Sequence, residues 1–552
     1  MNILLITGDQ WRGDCLGCAG HPVVKTPNLD KLAAQGVRFA RHYCQATPCG
    51  PSRASLYTGM YPLNHRVVAN GTPLDQRHTN FAIELRRVGY DPVLSGYTDT
   101  TPDPRAAEGP DDQTLHYKGD ALRGLRTLNS HPGGHSGHLA NSWAGWLEHE
   151  HGYDVPASMD AAPGEPYSTA HYAAVGKPGC VLGGDPEPAA VFGAGGAAVH
   201  AIGADGCAVA AFHRPEHSST AFVVEQAMEH VSARRGQRWC CHLSSFWPHP
   251  PWLASEPFNR MYSPADGGLP AHRAASPEVE GALHPWLKHR LSQSSVAPED
   301  DEAMALSRSQ YYATITETDA ALGRLFDWLQ ERGDWANTLV VFTTDHGEQF
   351  GDHWLMNKDG FFEQSYHIPL IVRHPSADYD GSRGRTVESV FTENVDVMPT
   401  MLEAVGAKVP AQVDGVSLLP FLRGGGEPQV PAGWRDAAHW EFDYRDRNPP
   451  AGTNPYAAGL TVHRGLRWKY VHFADPRYPP LLFDMDADGG AELADLAGSP
   501  DAEHQAALVE CMSALLGWRM RHSEHVLTHF NNRPDGGSVQ TQPTLHEQTA
   551  RM

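Results

Sequence analysis

A cysteine followed two residues later by proline and four residues later by arginine opens the most chemically suggestive stretch of the chain, ATPCGPSRASLYTGMYP at residues 46–62. The stretch reads as a turn that runs into a helix from Pro51 to about Met60, stopped near Gly59. A helix start offers unpaired N–H groups and the positive end of the dipole, so it favours anions. Cys49 would stand at that entrance with Arg53 one turn on. That arrangement suits a thiolate nucleophile, and equally an inert buried thiol.

Two other places could supply a metal site. Asp9-Gln10 follows the apolar run NILLIT, and two oxygen donors after a strand suit a hard divalent cation. An Asp there would serve equally well as the cap of the next helix. Asp345-His346 opens DHGEQFGDHWLMNKDG, where a carboxylate and an imidazole side by side can share one ion. Gly347, Gly351 and Gly360 would let the backbone bend around it, and the same stretch supplies Lys358. The alternative is a flexible acidic loop. His249 stands between prolines in SFWPHPPW, a stiff mount for an acid–base group, an anion donor or a plain loop histidine. Cys15 and Cys18 form a C-x-x-C near His21 without a second pair at zinc spacing, which is a weak metal or redox signal. Cys240-Cys241 reads as core.

These residues need a frame that brings them together. NILLIT is a buried strand closed by Gly8-Asp9. Thr26 reads as a helix N-cap with Pro27 at the first position and Gly36 at the end. A strand near 37–43, a helix near 80–88 and the strand DPVLSGY follow. Residues 219–234 are helical, RWCCHLSSF is a strand, and 302–332 carry apolar residues at helical spacing. TLVVFTTDHG and IPLIVRH are further strands. Strands alternating with helices predict an α/β fold, a mostly parallel central sheet sandwiched by helices. In such sheets ligands bind beyond the carboxyl ends of the strands. Asp9, Tyr97, His249 and Asp345-His346 all lie just past a predicted strand end, so the topology gathers them on one rim.

Residues 1–425 are read as the catalytic domain. AHWEFDY, GLTVHRGLRWKYVHF and PLLFDM predict a smaller C-terminal α+β domain over 426–522, with an antiparallel sheet and a helix from about 502 to 521. The polar tail 523–552 reads as an oligomerisation arm. The Gly/Pro/Ala-rich stretch 156–217 has weak periodicity.

Bulk composition sets the outer limits. The 552 residues are 41% hydrophobic and 20% charged, which is a globular composition. A net charge of −22 argues against nucleic acid, whereas a small anionic substrate can still meet a local cation such as a metal. No signal peptide or membrane span is apparent. Nine cysteines, an odd number, argue against a disulfide scaffold. The expectation is a cytoplasmic protein.

The stretch Cys49-Gly50-Pro51-Ser52-Arg53 resembles the C-x-P-S-R signature of the type I sulfatases of the alkaline phosphatase superfamily. The resemblance is nearest to the phosphonate monoester hydrolase and phosphodiesterase branch and its arylsulfatase relatives. DQWRGD, CGPSRASLYTGMYPLNHR, PLDQRH, VGYDPVLSGYT, PHPP, TTDHGEQFGDH, ENVDVMPT and WRMRHSEHVLTHF carry it across nearly the whole chain, with 100–217 matching least. It implies that Cys49 is oxidised to formylglycine by a maturation enzyme that reads Cys, Pro and Arg. It implies one divalent ion, manganese or calcium, held by Asp9, Gln10, Asp345, His346 and residue 49. Arg53, Asn70, Tyr97, Asp99, His249 and Lys358 would contact the nucleophile or the substrate.

The implied reaction is hydrolysis of singly charged esters, namely aryl sulfates, phosphonate monoesters and phosphodiesters. A hydrated aldehyde activated by the metal and Asp345 attacks, the added charge is stabilised by Lys358 and Arg53, and His249 or Lys358 protonates the leaving alcohol. Trp247, Trp252 and Tyr97 would line an aryl pocket or belong to the core. Sulfatases carry Lys-x-His where this chain has Tyr97-Thr98-Asp99, and the phosphonate branch carries Tyr with Thr two residues on, so Asp99 fits neither pattern. A carboxylate there must point away, be protonated or meet a cation. The rival readings are a two-metal phosphomutase or phosphatase of the same superfamily, and an inactive anion-binding protein. A homodimer or homotetramer is expected from the resemblance.

Overall fold

The computed structural model describes residues 1–106, 122–128 and 214–523, apart from 251, 294–296, 298–299, 426–429, 446–447 and 488. It also describes 143, 145–147, 150–151 and the strands Ala189–Phe192, Ala198–Ile202, Phe530–Asn532 and Ser538–Gln540. Most of the Gly/Pro/Ala-rich stretch and most of the polar tail lie outside the described residues.

Eight strands form the main sheet. Across it they run Arg385–Val387, Val37–Phe39, Ile371–Arg373, Thr338–Thr344, Asn2–Gly8, Cys240–Ser244, Pro92–Gly96 and Arg126–Thr127. Ile371–Arg373 is antiparallel to both of its neighbours, and the other pairings are parallel. The strands Asn2–Gly8 and Thr338–Thr344 carry apolar side chains on both faces because both faces are covered. Ile3, Leu5, Leu339 and Val341 enter one core, and Leu4, Ile6, Val340 and Phe342 enter the other. Each such side chain contributes roughly 1.5–3 kcal/mol on burial. Cys240 and Cys241 point to opposite cores, as consecutive strand residues must.

The helix Asp301–Glu331 covers one face. Its N-cap Asp300 accepts N–H bonds from Glu302 (2.9 Å) and Ala303 (3.3 Å). Tyr311, Ile315, Leu322, Phe326 and Leu329 are buried at helical spacing, and Gly333, at φ 78°, ends the run. Tyr311 also reaches the loop after the first strand. Its hydroxyl donates to Gln10 O (2.8 Å) and accepts from Arg12 N (3.0 Å), which pins the loop after the first strand. The helices Cys49–Thr58, Phe81–Arg87 and Val397–Ala404 cover the other face.

Two local readings are corrected. The helix of the C-x-P-S-R stretch begins at Cys49, with Pro48 as its N-cap, so the cysteine lies in the first turn and not ahead of it. Thr26 takes the N-cap position of the helix Pro27–Ala34 as expected, but its side chain caps no helix N–H, because its hydroxyl accepts from Gly17 N (2.8 Å) and donates to Asp30 (3.0 Å).

Ala438–Asp443, Gly459–Arg464, Trp468–Phe473 and Leu481–Asp484 form an antiparallel meander. Trp440, Val462, Val471 and Leu481 lie in one row across it and face Trp286, Phe361 and Tyr366. The opposite face packs Tyr470 and Leu482 against Cys511, Leu515 and Trp518 of the helix Ala502–His522. Glu441 N donates to Gln45 O (2.9 Å), which ties the small sheet to the segment leading into the Cys49 helix. Among the described residues no helix is long and apolar enough to cross a membrane.

Candidate active site

The carboxyl ends of the central strands deliver the site. Gly8 lies opposite Thr344 in the parallel register, so Asp9-Gln10 and Asp345-His346 leave the sheet side by side. Tyr97 follows the strand Pro92–Gly96, and the Cys49 helix points its first turn at all of them.

Arg53 organises the carboxylates. It is fully buried, and its Nε donates to Asp345 Oδ2 (2.8 Å) while Nη2 donates to Asp9 Oδ2 (3.1 Å). Nη1 donates to Ser244 Oγ (2.8 Å) and to Tyr97 O (3.2 Å). The planar fork of a guanidinium suits such divided work. Arg53 therefore holds the two aspartates at a fixed separation, and each of its three nitrogens donates to protein. Asp345 Oδ1 accepts from Gln10 N (3.1 Å) and His346 N (2.9 Å), and Tyr97 OH donates to Asp9 Oδ2.

Asp9, Cys49, Asp345 and His346 present ligand atoms that all lie within 4.8 Å of one another. His346 Nδ1 faces Gly347 O at 2.9 Å and must carry the proton, because a carbonyl only accepts. Its Nε2 lone pair then points at Cys49 Sγ, 3.2 Å away. Burial pushes His346 down to about 4, which keeps it neutral and fit to ligate. Burial and the nearby Asp345 carboxylate raise Asp9 despite Lys358 and Arg53. Two carboxylates, a neutral imidazole and residue 49 converge in a place that favours one more positive charge. This donor set fits a divalent ion.

Cys49 is buried, and burial followed by the charge of Asp9 pushes its thiol well up. The unmodified side chain is thus a poor thiolate. Lys358 Nζ donates to Cys49 Sγ (3.4 Å) and to Gln10 Oε1 (2.7 Å). Burial opposes the Lys358 charge, but Cys49, Asp9 and Asp345 outweigh it and hold its pKa up. Gly50 at the x of C-x-P-S-R leaves little room for a side chain, since a Cβ there would lie a tight 3.1 Å from Asn70 Oδ1 and Asp99 O. Asn70 accepts from Gly50 N (2.8 Å) and so satisfies a free donor of the helix start.

His249 directs Nδ1 to Pro250 O (2.7 Å), and burial with the Lys358 charge pushes it down to about 3. Asp99 is half-buried at φ 49°, and burial raises it to about 6 against the pull of Arg53. Trp247 and Trp252 are core residues, 0% and 1% exposed. Cys15 is buried and Cys18 half-buried, both as free thiols.

The structure adds residues that sequence reasoning passed over. Ser52 Oγ donates to Asp345 O (2.5 Å), and Ser244 receives Arg53. Glu348 accepts from Gln10 Nε2, within the very stretch DHGEQ that was singled out for its first two residues. Six of the nine described non-glycine residues with positive φ (Gln10, Asp99, Phe350, His353, Trp354 and Asn357) lie in the loops around this site, where backbone strain tends to collect.

Comparison with known proteins gives the family. Residues 1–407 match the Sulfatase family model, and 351–516 match the model described as N-sulphoglucosamine sulphohydrolase, C-terminal. The chain is 36% identical over 558 aligned residues to the multifunctional alkaline phosphatase superfamily protein PehA of Trinickia caryophylli, covering 97% of this chain and 98% of that one. The phosphonate monoester hydrolase of Agrobacterium radiobacter superposes with a TM-score of 0.82 at 38% identity, over 98% of this chain and 100% of that one. The phosphonate monoester hydrolase of Silicibacter pomeroyi gives 0.80 at 34% identity, over 98% and 100%. The chain therefore belongs to the sulfatase family of the alkaline phosphatase superfamily and is a hydrolase acting on ester bonds.

Proposed function

We propose that the protein hydrolyses singly charged esters (aryl sulfates, phosphonate monoesters and phosphodiesters) with residue 49 as the nucleophile after its conversion from cysteine to formylglycine by a maturation enzyme. One observation carries this reading. Cys49 sits in the buried first turn of a helix, against Asp9, His346 and Lys358 together. A thiol there is held protonated, whereas the hydrate of an aldehyde offers one hydroxyl for attack and a second whose collapse expels the ester group by C–O cleavage. A divalent ion, manganese or calcium, would be held by Asp9, Gln10, Asp345, His346 and residue 49, and when bound supplies Lewis acidity.

The chain's own residues divide the rest of the work. Asp345 is the base that the resemblance implies, and Asp9, whose Oδ1 faces residue 49, is placed to share that role. Arg53 keeps both carboxylates in place, and Lys358 stabilises charge added at the reacting centre. Between the two candidates for the proton that leaves with the alcohol, the geometry favours Lys358. His249 commits its Nδ1 proton to Pro250 O and is held neutral, while Lys358 is held charged. Sulfate monoesters, phosphonate monoesters and phosphodiesters each present a singly charged tetrahedral centre, so one site can serve all three.

Mass spectrometry of the tryptic peptide His42–Arg53 from active enzyme tests the reading. The expected product carries an aldehyde at position 49 that hydroxylamine traps. An unmodified thiol in fully active protein would reject it. Assembly as a homodimer or homotetramer is part of the same proposal. It is supported by the exposed apolar residues Val509, Met512, Leu516 and Met520 along one face of the helix Ala502–His522.

A further inference from the structure

Glu348 is neither a ligand nor a reactant in the reading above, yet it is fully buried and receives three donors. Its Oε1 accepts from Phe350 N (2.9 Å) and Asn357 N (2.6 Å). These two bonds tie both ends of the loop that delivers Lys358. Its Oε2 accepts from Gln10 Nε2. With each contact already a donor, the geometry suits the carboxylate form.

The third bond has a chemical consequence. The two ends of a glutamine amide are alike in shape and opposite in polarity. A carboxylate can only accept, so Gln10 must turn its NH2 to Glu348 and its carbonyl oxygen into the site. There Lys358 Nζ donates to that oxygen at 2.7 Å. The backbone of Gln10 is fixed independently, at φ 67° with its N–H on Asp345 and its C=O on Tyr311, so the side chain has one polarity left to choose.

We propose that Glu348 is a positioning residue that sets the polarity of the Gln10 amide, so that residue 10 offers an oxygen and not an NH2 to Lys358 and to the divalent ion. The proposal rests on the reading of Gln10 as a residue facing that ion. A carboxylate at position 10 would need no such partner, because both of its ends accept. The chain therefore carries a coupled pair: a neutral amide at 10 with an acceptor-only group at 348.

The substitution E348Q separates the two duties of Glu348. An amide in its place can keep its carbonyl oxygen on Phe350 N and Asn357 N, which preserves the loop. It then presents NH2 to Gln10, whose amide must reverse and bring its own NH2 against Lys358 and the ion. In Q10E/E348Q the new carboxylate at position 10 accepts from the new amide at position 348 on one side and from Lys358 on the other. The test is calorimetric titration of Mn²⁺ into wild type, E348Q, Q10E and Q10E/E348Q. It is read beside kcat and KM on an aryl phosphonate monoester and the formylglycine fraction at position 49.

E348Q is expected to weaken Mn²⁺ binding by about 10–100-fold and to lower kcat more than KM, with an unchanged formylglycine fraction. Q10E/E348Q is expected to bind Mn²⁺ more tightly than either single variant. Wild-type Mn²⁺ affinity in E348Q would overturn the proposal alone. A wild-type chain with no Mn²⁺ affinity would overturn the metal reading and this proposal with it. Should E348Q fail to fold, the pair Q10E and Q10E/E348Q decides, since adding E348Q must tighten Mn²⁺ binding.

Discussion

Two charged clusters are buried in this molecule, and they are finished differently. Beside the small sheet, Lys469 and Glu492 are 0% and 1% exposed and form an ion pair. The ammonium also donates to Phe361 O (2.8 Å) and lies 5.0 Å from the centre of the Trp440 ring. Glu492 accepts from Glu363 N (3.1 Å), and Glu363 pairs in turn with Arg464. Every charge meets an opposite charge and further hydrogen bonds. Although burial works to raise it, Arg464 and Lys469 hold Glu363 below its usual range. At the edge of the main sheet the charges also match in number, Asp9 and Asp345 against Arg53 and Lys358, but they do not close on one another. Asp9 and Asp345 share Arg53, and Asp9 Oδ1 faces Cys49 and His346 at 3.9 and 3.8 Å with no full cation against it. Burial and Asp345 leave Asp9 above its usual range. A closed cluster neutralises itself and serves the fold. An open one leaves a carboxylate oxygen that an added cation can use.

The largest expected effect breaks the open cluster at its reactive member. Cys49→Ala should lower kcat by about 10⁴-fold or more with little change in melting temperature, as measured by steady-state turnover and calorimetry. Turnover within tenfold of wild type would show that residue 49 is not the nucleophile.

The closed cluster should fail in stability and not in chemistry. Lys469→Met leaves Glu492 buried without its cation, which costs about 3–5 kcal/mol. Replacing both, as Lys469→Met with Glu492→Met, should recover much of that loss, because a buried pair exchanged for apolar side chains is often close to neutral. Urea unfolding checks both, and activity per folded molecule should hold in each.

A smaller effect sharpens the contrast. Mn²⁺ at a hundred times its dissociation constant should stabilise wild type by about 2.7 kcal/mol. Lys469→Met should keep that increment in full, since its cluster has no part in binding the ion. Equal stability with and without Mn²⁺ in the wild type would remove the distinction between the two clusters.

The same contrast marks how far the sequence could be read. The strands NILLIT and TLVVFTT were legible because burial on both faces demands unbroken apolar runs, and the parallel topology then placed Asp9 beside Asp345. Cys49, Arg53 and Lys358 were found through the motif and the acidic loop. What sequence could not show was direction. Arg53 carries a charge that suits either a substrate or a carboxylate, and only the folded chain turns it onto Asp9 and Asp345. Glu348 was invisible for a related reason. Its significance lies in hydrogen-bond polarity toward residue 10, hundreds of positions away, and no local spacing records that. Thr26 stands at the N-cap that the sequence indicated, but its hydroxyl serves Gly17 N instead of a helix N–H, a tertiary contact that outweighed the local preference.

The smallest expected effect on folding concerns two faces of one helix. In Ala502–His522 the residues Cys511, Leu515 and Trp518 are buried against the small sheet, whereas Val509, Met512, Leu516 and Met520 are 65%, 44%, 61% and 72% exposed. Adjacent leucines thus have opposite surroundings. Leu515→Ala opens a cavity and should cost about 2–5 kcal/mol. Leu516→Glu removes no packing within the chain and should shift folding by no more than about 0.5 kcal/mol. If the exposed stripe is where copies of the chain meet, Leu516→Glu should nevertheless lower the mass seen by sedimentation, because a carboxylate would then be buried across a symmetric contact against its own copy. An unchanged assembly, with wild type larger than a monomer, would place the contact elsewhere and leave the stripe as apolar surface of the kind that any protein carries.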